Sequence, residues 1–249
     1  MKENSLSKVP QITLLFWVIK IAATTLGETG GDAVSMTMNL GYAVGTAIFA
    51  AFFLVFLFLQ VRARKFHPFL YWAVIVATTT VGTTMADFAD RSLGIGYVGG
   101  SLILFALLMG MLAAWHFAAG PISFQNITAP RTEICYWMTI LFSNTLGTAL
   151  GDFLADDSGL GYSGGALVFG AALALLALAY FFTSLSRVFL FWAAFILTRP
   201  LGATLGDLLT KPRDHGGLDL NRISSTAVLA AFMVICILLS SKKAGRHPA

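Results

Sequence analysis

Four carboxylates stand in the same local setting along the chain: Asp32, Asp87, Asp152 and Asp207. Each follows a small residue directly and a glycine five positions earlier, with at least one threonine between. The copies read GETGGD from Gly27, GTTMAD from Gly82, GTALGD from Gly147 and GATLGD from Gly202. On a helix, the positions three, four and seven before an aspartate share its face. They hold Thr29, Glu28 and Thr25 in the first copy and Thr84, Thr83 and Thr80 in the second. The third has Ala149, Thr148 and Thr145, and the fourth Thr204, Ala203 and Pro200. Eight before the aspartate come Thr24, Thr79, Asn144 and Arg199. If the four helices face one axis, carboxylates and hydroxyls converge there. This donor set is all oxygen, with neither His nor Cys. Mg²⁺, Mn²⁺ and Ca²⁺ prefer such ligands, whereas Zn²⁺ or Cu⁺ would call for imidazole or thiolate. The candidate metal ligands are therefore Asp32, Asp87, Asp152, Asp207 and Glu28, with Thr25, Thr80, Asn144 and Thr145 as further cation-binding candidates.

Plainer roles compete with that chemistry. Threonines in membrane helices often bond back to their own backbone, and an aspartate near a helix end can simply be hydrated. Four in register favour a functional set, because intramembrane acids are costly. Lys20 and Arg199 also fall within apolar segments and are the expected counter-charges, Arg199 as the partner of Asp207. Against five acids they leave an acidic excess of three. Arg199-Pro200 is expected to break its helix, since proline removes a backbone donor. His215, beside Asp214, reads as a solvated loop residue that could help capture a metal.

The elements that carry these residues are membrane helices. Of the 249 residues 57% are hydrophobic and 11% charged, with a mean hydropathy of +0.79; a soluble domain carries about 25% charged residues. Spans of roughly 20 apolar residues are read at about Pro10 to Ser35, Gly41 to Val61, Pro68 to Ala89 and Gly96 to Ala118. Four more follow at Thr132 to Ala155, Gly161 to Thr183, Ser186 to Leu209 and Leu220 to Ser240. The aspartates are 55, 65 and 55 residues apart, and a tryptophan precedes each by fifteen: Trp17, Trp72, Trp137 and Trp192. The chain is thus four tandem two-helix repeats, with repeats one and two in 1–120 and repeats three and four in 121–249. Each repeat is a hairpin of one orientation, so the expected fold is all-α, a polytopic eight-helix bundle with pseudo-symmetry about the membrane normal. Gly41/Gly45, Gly96/Gly100 and Gly161/Gly165 open the returning helices with a small-xxx-small pattern that permits close backbone approach. The tryptophans are expected to anchor the inner interface. Lys and Arg number ten on the side of the termini and four on the other, which places both termini in the cytoplasm. Cys135 and Cys236 lie in apolar runs and read as small buried hydrophobes.

This pattern resembles a family of bacterial membrane-anchored proteins of unknown function, built from four tandem two-helix repeats with a characteristic tryptophan. The resemblance covers nearly the whole chain; it implies a fold and no activity, and the expected location is a bacterial inner membrane. Function is argued from the residues. The first expectation is a transporter of a small cation, a hard divalent metal such as Mn²⁺ or Mg²⁺, with proton coupling through the acids as an option. An organic cation exporter is the rival within transport, because Phe is abundant at 21. A non-transporting membrane scaffold or sensor is the rival outside it. No catalytic residues, no enzyme activity and no cofactor are expected, the metal being substrate. The expected partners are the lipid bilayer and the cation, with no nucleic acid. Four hairpins could close a path alone or work as a homodimer.

Overall fold

The computed structural model describes residues 8–122, 127 and 129–240. Its eight long helices are α1 (Leu14–Asp32), α2 (Gly41–Arg62), α3 (Pro68–Asp87), α4 (Gly96–Ala119), α5 (Pro130–Asp152), α6 (Gly161–Phe182), α7 (Arg187–Thr210) and α8 (Arg222–Leu239). Local chemistry sets their ends. Thr13, Ser186 and Asn221 cap α1, α7 and α8 through side-chain oxygens that accept from backbone N–H groups of the first turn. Pro68 and Pro130 open α3 and α5, where a missing N–H costs nothing. After Asp32, Asp87 and Asp152 the first three odd helices do not stop. Each runs on through a five-residue π turn, Ala33–Thr37, Phe88–Ser92 and Phe153–Asp157. The chain then reverses on Gly41, Gly96 and Gly161 at φ 77°, 74° and 64°, a conformation that glycine adopts without strain.

The odd helices form a closed ring in the order α1, α3, α5, α7 and back to α1. The even helices lie outside it. Each leans on the odd helix of the next repeat: α2 on α3, α4 on α5, α6 on α7, and α8 back on α1. The repeat as a hairpin in sequence is therefore not the repeat as a packing unit. The described residues of 1–120 and 121–249 share this one core, meeting along α3 with α5 and along α1 with α7.

The landmark glycines explain the tight ring. A Cβ on Gly27 would stand 2.6 Å from Thr79 Cβ, one on Gly82 3.0 Å from Thr145 N, one on Gly147 2.6 Å from Arg199 Cγ, and one on Gly202 2.8 Å from the Thr24 carbonyl carbon. Each glycine thus receives the following helix at or beside the position eight before its aspartate, and the last receives the first. Backbone contacts of this kind are how membrane helices associate without a hydrophobic drive. The hydroxyls of Thr79 and Thr24 seal two of the joints, donating to Ala23 O at 3.2 Å and Thr198 O at 3.1 Å.

Among the described residues six helices, α2, α3, α4, α6, α7 and α8, are long and apolar enough to cross a membrane. The outer ones expose Phe52, Leu54, Phe58, Leu167, Leu175 and Phe181, a surface that lipid and not water accommodates. α1 and α5 fall short because their polar residues face the ring, where neighbours cover them. The expected break at Arg199-Pro200 does not occur: α7 is helical from Arg187 to Thr210 with Pro200 inside. Gly147 and Gly151 of α5 leave room for the proline, a Cβ on Gly147 lying 3.1 Å from Pro200 Cδ and one on Gly151 3.2 Å from Pro200 O. Neighbouring helices commonly make such prolines tolerable in membranes.

The tryptophans also differ from their expected place. Trp72 and Trp137 are fully buried, and Trp17 and Trp192 partly so. They alternate with Phe16, Tyr71, Tyr136 and Phe191 in a belt closing the end of the ring opposite the aspartates. Ring centroids lie 5.1 Å apart for Phe16 and Trp17, 5.4 Å for Tyr71 and Trp72, 5.0 Å for Tyr136 and Trp137 and 5.5 Å for Phe191 and Trp192. Tyr71 and Tyr136 join their hydroxyls at 2.9 Å. Trp72 and Trp137 belong to the buried core, and Trp17 and Trp192 pack against it.

Candidate cation site at the aspartate end of the ring

The axis of the ring is lined in steps of four residues. Sixteen before the aspartates come Phe16, Tyr71, Tyr136 and Phe191; twelve before, Lys20, Ile75, Ile140 and Phe195; eight before, Thr24, Thr79, Asn144 and Arg199; four before, Glu28, Thr83, Thr148 and Ala203. All sixteen are buried, as are the four aspartates that follow. Rows of every fourth residue run inclined by about 26° to a helix axis, so helices that cross at an angle present this row and not the seven-residue stripe expected from face-sharing alone. Thr25, Thr80 and Thr145 accordingly leave the axis. Each donates to the carbonyl four residues back, Ile21 O at 3.0 Å, Val76 O at 2.8 Å and Leu141 O at 2.9 Å. Thr80 even lines an apolar groove at the side of the bundle. Asn144 stays central, its Nδ2 donating to Thr78 Oγ1 at 3.0 Å.

The four aspartates do converge, and Glu28 is the hub and not an accessory. Carboxylate oxygens of Glu28, Asp32 and Asp87 lie within 4.8 Å of one another, and so do those of Glu28, Asp152 and Asp207. Both groups are buried, with donors that suit a hard cation.

Basic side chains reach into the same space. Arg199 Nη2 donates to Glu28 Oε2 at 2.9 Å and Thr83 Oγ1 at 2.6 Å, and also to Thr148 Oγ1. Arg199 therefore serves Glu28, not Asp207 as its neighbour in sequence suggests. Lys211 Nζ bridges Asp32 at 3.0 Å and Asp207 at 3.2 Å. Burial works against its charge, but Asp207 and Asp32 outweigh that and hold the ammonium well above the ordinary lysine range. Arg91 pairs with Asp87 at 2.9 Å and reaches Asp152 at 3.6 Å and Asp156 at 3.7 Å. Arg222 Nε lies 3.6 Å from Asp32. With Asp156 counted, six acids thus meet four bases, and the expected excess of three falls to two.

Lys20 is not among these four. Its Nζ has no hydrogen-bond partner among the described residues and stands 4.2 Å from the centre of the Phe195 ring. His215 is exposed with Asp214, 4.0 Å away, outside the cluster. Arg91, Lys211, Arg222 and Asp156 are the members that loop assignment concealed. The signal for three of them is positional: Arg91, Asp156 and Lys211 each follow their aspartate by four. A helix that runs on past the aspartate returns that position to the same face. Tyr97, in the first turn of α4, adds a hydroxyl that donates to Asp156 at 3.0 Å.

No curated protein and no solved structure matches the chain. One family model matches it four times, over residues 15–66, 70–120, 135–186 and 190–244. Each match takes in one odd helix, its aspartate turn and the even helix after it, and together they cover most of the chain. On that coverage the protein belongs to the family described as Repeat of Unknown Function (DUF347).

Proposed function

We propose that the protein is a membrane transporter of a small cation, a hard divalent metal such as Mn²⁺ or Mg²⁺ being the favoured cargo, and that the cation binds among Glu28, Asp32, Asp87, Asp152 and Asp207. The observation that supports this is the convergence of five buried carboxylates from four equivalent helices into two groups, each compact enough to ligate one ion. Buried acids at membrane depth are costly and are kept where an ion path uses them. In the closed arrangement Lys211 and Arg91 stand in for the cargo. An arriving divalent ion takes their place, and they swing back toward the turns that carry them.

The same reading sets the protein in a bacterial inner membrane with both termini cytoplasmic and the acid cluster toward the outside. The Lys/Arg asymmetry supports that orientation, more so once Arg91, Lys211 and Arg222 are counted with the acids they pair and not with the loops.

The test is flux of Mn²⁺, Mg²⁺ and Ca²⁺ into proteoliposomes carrying an internal pH probe. Asp→Asn keeps size and removes charge, so the Asp32→Asn/Asp152→Asn variant is expected to insert normally and to lose metal binding and flux. Full binding and flux in that double variant and in all four single variants would sink the proposal. A non-transporting scaffold draws support from the pairing of the acids and the aromatic closure at the far end; it predicts no flux from any variant, wild type included. An organic cation exporter would use the groove between α2 and α8, a cavity of about 350 Å³ lined by Phe49, Phe52, Phe56, Trp72 and Met233 among others. No carboxylate lines it, so it offers a cation little, and this reading ranks below the metal.

A further inference from the structure

Lys20 is fully buried on the axis-facing row of α1, level with Ile75 of α3, Ile140 of α5 and Phe195 of α7. Its nitrogen meets no hydrogen-bond partner and no carboxylate within 4 Å among the described residues, only the Phe195 ring. The charged group that acts on it is Arg199, one level nearer the acids. Of the other elements packed on α1, α3 brings no titratable group to this level, and α8 carries Cys236 as its one titratable side chain besides the distant Arg222.

A lysine that only held the fold together would be paired. A carboxylate beside it would lock the proton on, and a wholly apolar pocket would lock it off. Lys20 has an aromatic face in place of a carboxylate, and its like-charged neighbour on the row, Arg199, is itself held by Glu28. Nearby levels also hold polar atoms that are buried without a protein partner among the described residues: Thr139 Oγ1, Ser143 Oγ, Asn144 Oδ1 and Arg199 Nε. Asn144 and Arg199 belong to the axial row between the Tyr71–Tyr136 pair and Glu28, so two of these atoms sit on side chains of the axis, where a proton path would need spare hydrogen-bonding capacity.

We propose that Lys20 is a proton-binding site whose loading is coupled to cation binding at the acid cluster, with Arg199 as the link. This rests on the cation-transport reading. The amine binds one proton as an ammonium and returns it to the water of the other side; only an N–H bond forms and breaks. A cation on Glu28 frees the Arg199 guanidinium from its ion pair. The freed charge then bears on Lys20, which releases its proton. Departure of the cation restores the Glu28–Arg199 pair and lets the amine reload, so proton and metal exchange in opposite directions.

The experiment uses the full chain in proteoliposomes with Mn²⁺ outside and a pH probe inside. Wild type is expected to move protons against Mn²⁺. Lys20→Met is expected to bind Mn²⁺ and to exchange Mn²⁺ for Mn²⁺, since Lys20 touches no carboxylate, while proton movement is lost. Proton movement per Mn²⁺ equal to wild type, or loss of Mn²⁺ binding in a well-inserted Lys20→Met, overturns the proposal. A second measurement stands apart from transport: the magnetic resonance of isotope-labelled lysine nitrogen in nanodiscs, assigned by its loss in Lys20→Arg. The Lys20 signal is expected to change with pH across the range in which the protein stays folded, and to shift in Glu28→Gln. An ammonium signal unchanged across that range overturns the proton site. If wild type moves no cation at all, the transport reading falls, and this titration still decides whether Lys20 carries a proton.

Discussion

At the scale of the residue, the acid cluster is a problem in compensation. Glu28 is buried and depends on Arg199, which spends one nitrogen on the carboxylate and on hydroxyls from two other helices. Arg199→Leu leaves that carboxylate buried and unpaired, which costs about 3–5 kcal/mol. The expected outcome is a clear fall in thermal midpoint in detergent, with part of the loss recovered in Glu28→Gln/Arg199→Leu. Equal loss in single and double variants would show that the pair does not matter to stability. The acids were legible in the sequence because one register repeats four times. Their bases were not, because Arg91 and Lys211 follow the apolar run and read as loop charges. For Arg91, residue type and hydropathy carry no mark of the π turn that decides which way it faces; Lys211 sits just past the end of α7, which closes without one. Lys20 was visible as an intramembrane base, but its separation from every carboxylate depends on packing and could not be read.

At the scale of the element, glycine position divides into two classes. Gly202 faces the Thr24 backbone, whereas Gly170 in α6 would meet nothing within 4 Å if it carried a Cβ. Gly202→Ala is therefore expected to destabilise by a few kcal/mol through forced separation of α7 and α1. Gly170→Ala is expected to be neutral or stabilising by about 0.5–1 kcal/mol, the ordinary gain of alanine over glycine inside a helix. Detergent denaturation of the two variants checks both signs, and equal effects would refute the ring of close contacts. Close approach was readable from the recurring glycines. Which helix each one meets was not, since periodicity fixes a face and says nothing of the neighbour. Pro200 makes the same point: its break was expected from local chemistry, and the small residues that accommodate it belong to another repeat.

At the scale of the whole molecule, four repeats, eight helices and an all-helical membrane fold followed from composition and spacing, because burial in lipid leaves few architectures open. The offset packing of even helices was not readable, since a hairpin and an offset neighbour satisfy the same apolar pattern. Orientation gives a third prediction. With Cys135 and Cys236 replaced, single cysteines at the exposed positions Ser158 and Ser184 are expected to react with an impermeant thiol reagent from opposite sides, Ser158 from outside. Reaction of both from one side would end the alternating topology.

Offset packing also dictates an order of manufacture. As the ribosome feeds helices to the membrane, α1 arrives first, yet its outer cover is α8, the last to emerge. Until α7 emerges just before it, the polar face of α1 and Glu28 have no Arg199 beside them, and the nascent chain must be sheltered by the insertion machinery or by lipid water defects. Chains halted after α6 are expected to be cleared by membrane proteases far faster than chains halted after α8, a contrast that pulse labelling of stalled products would read directly.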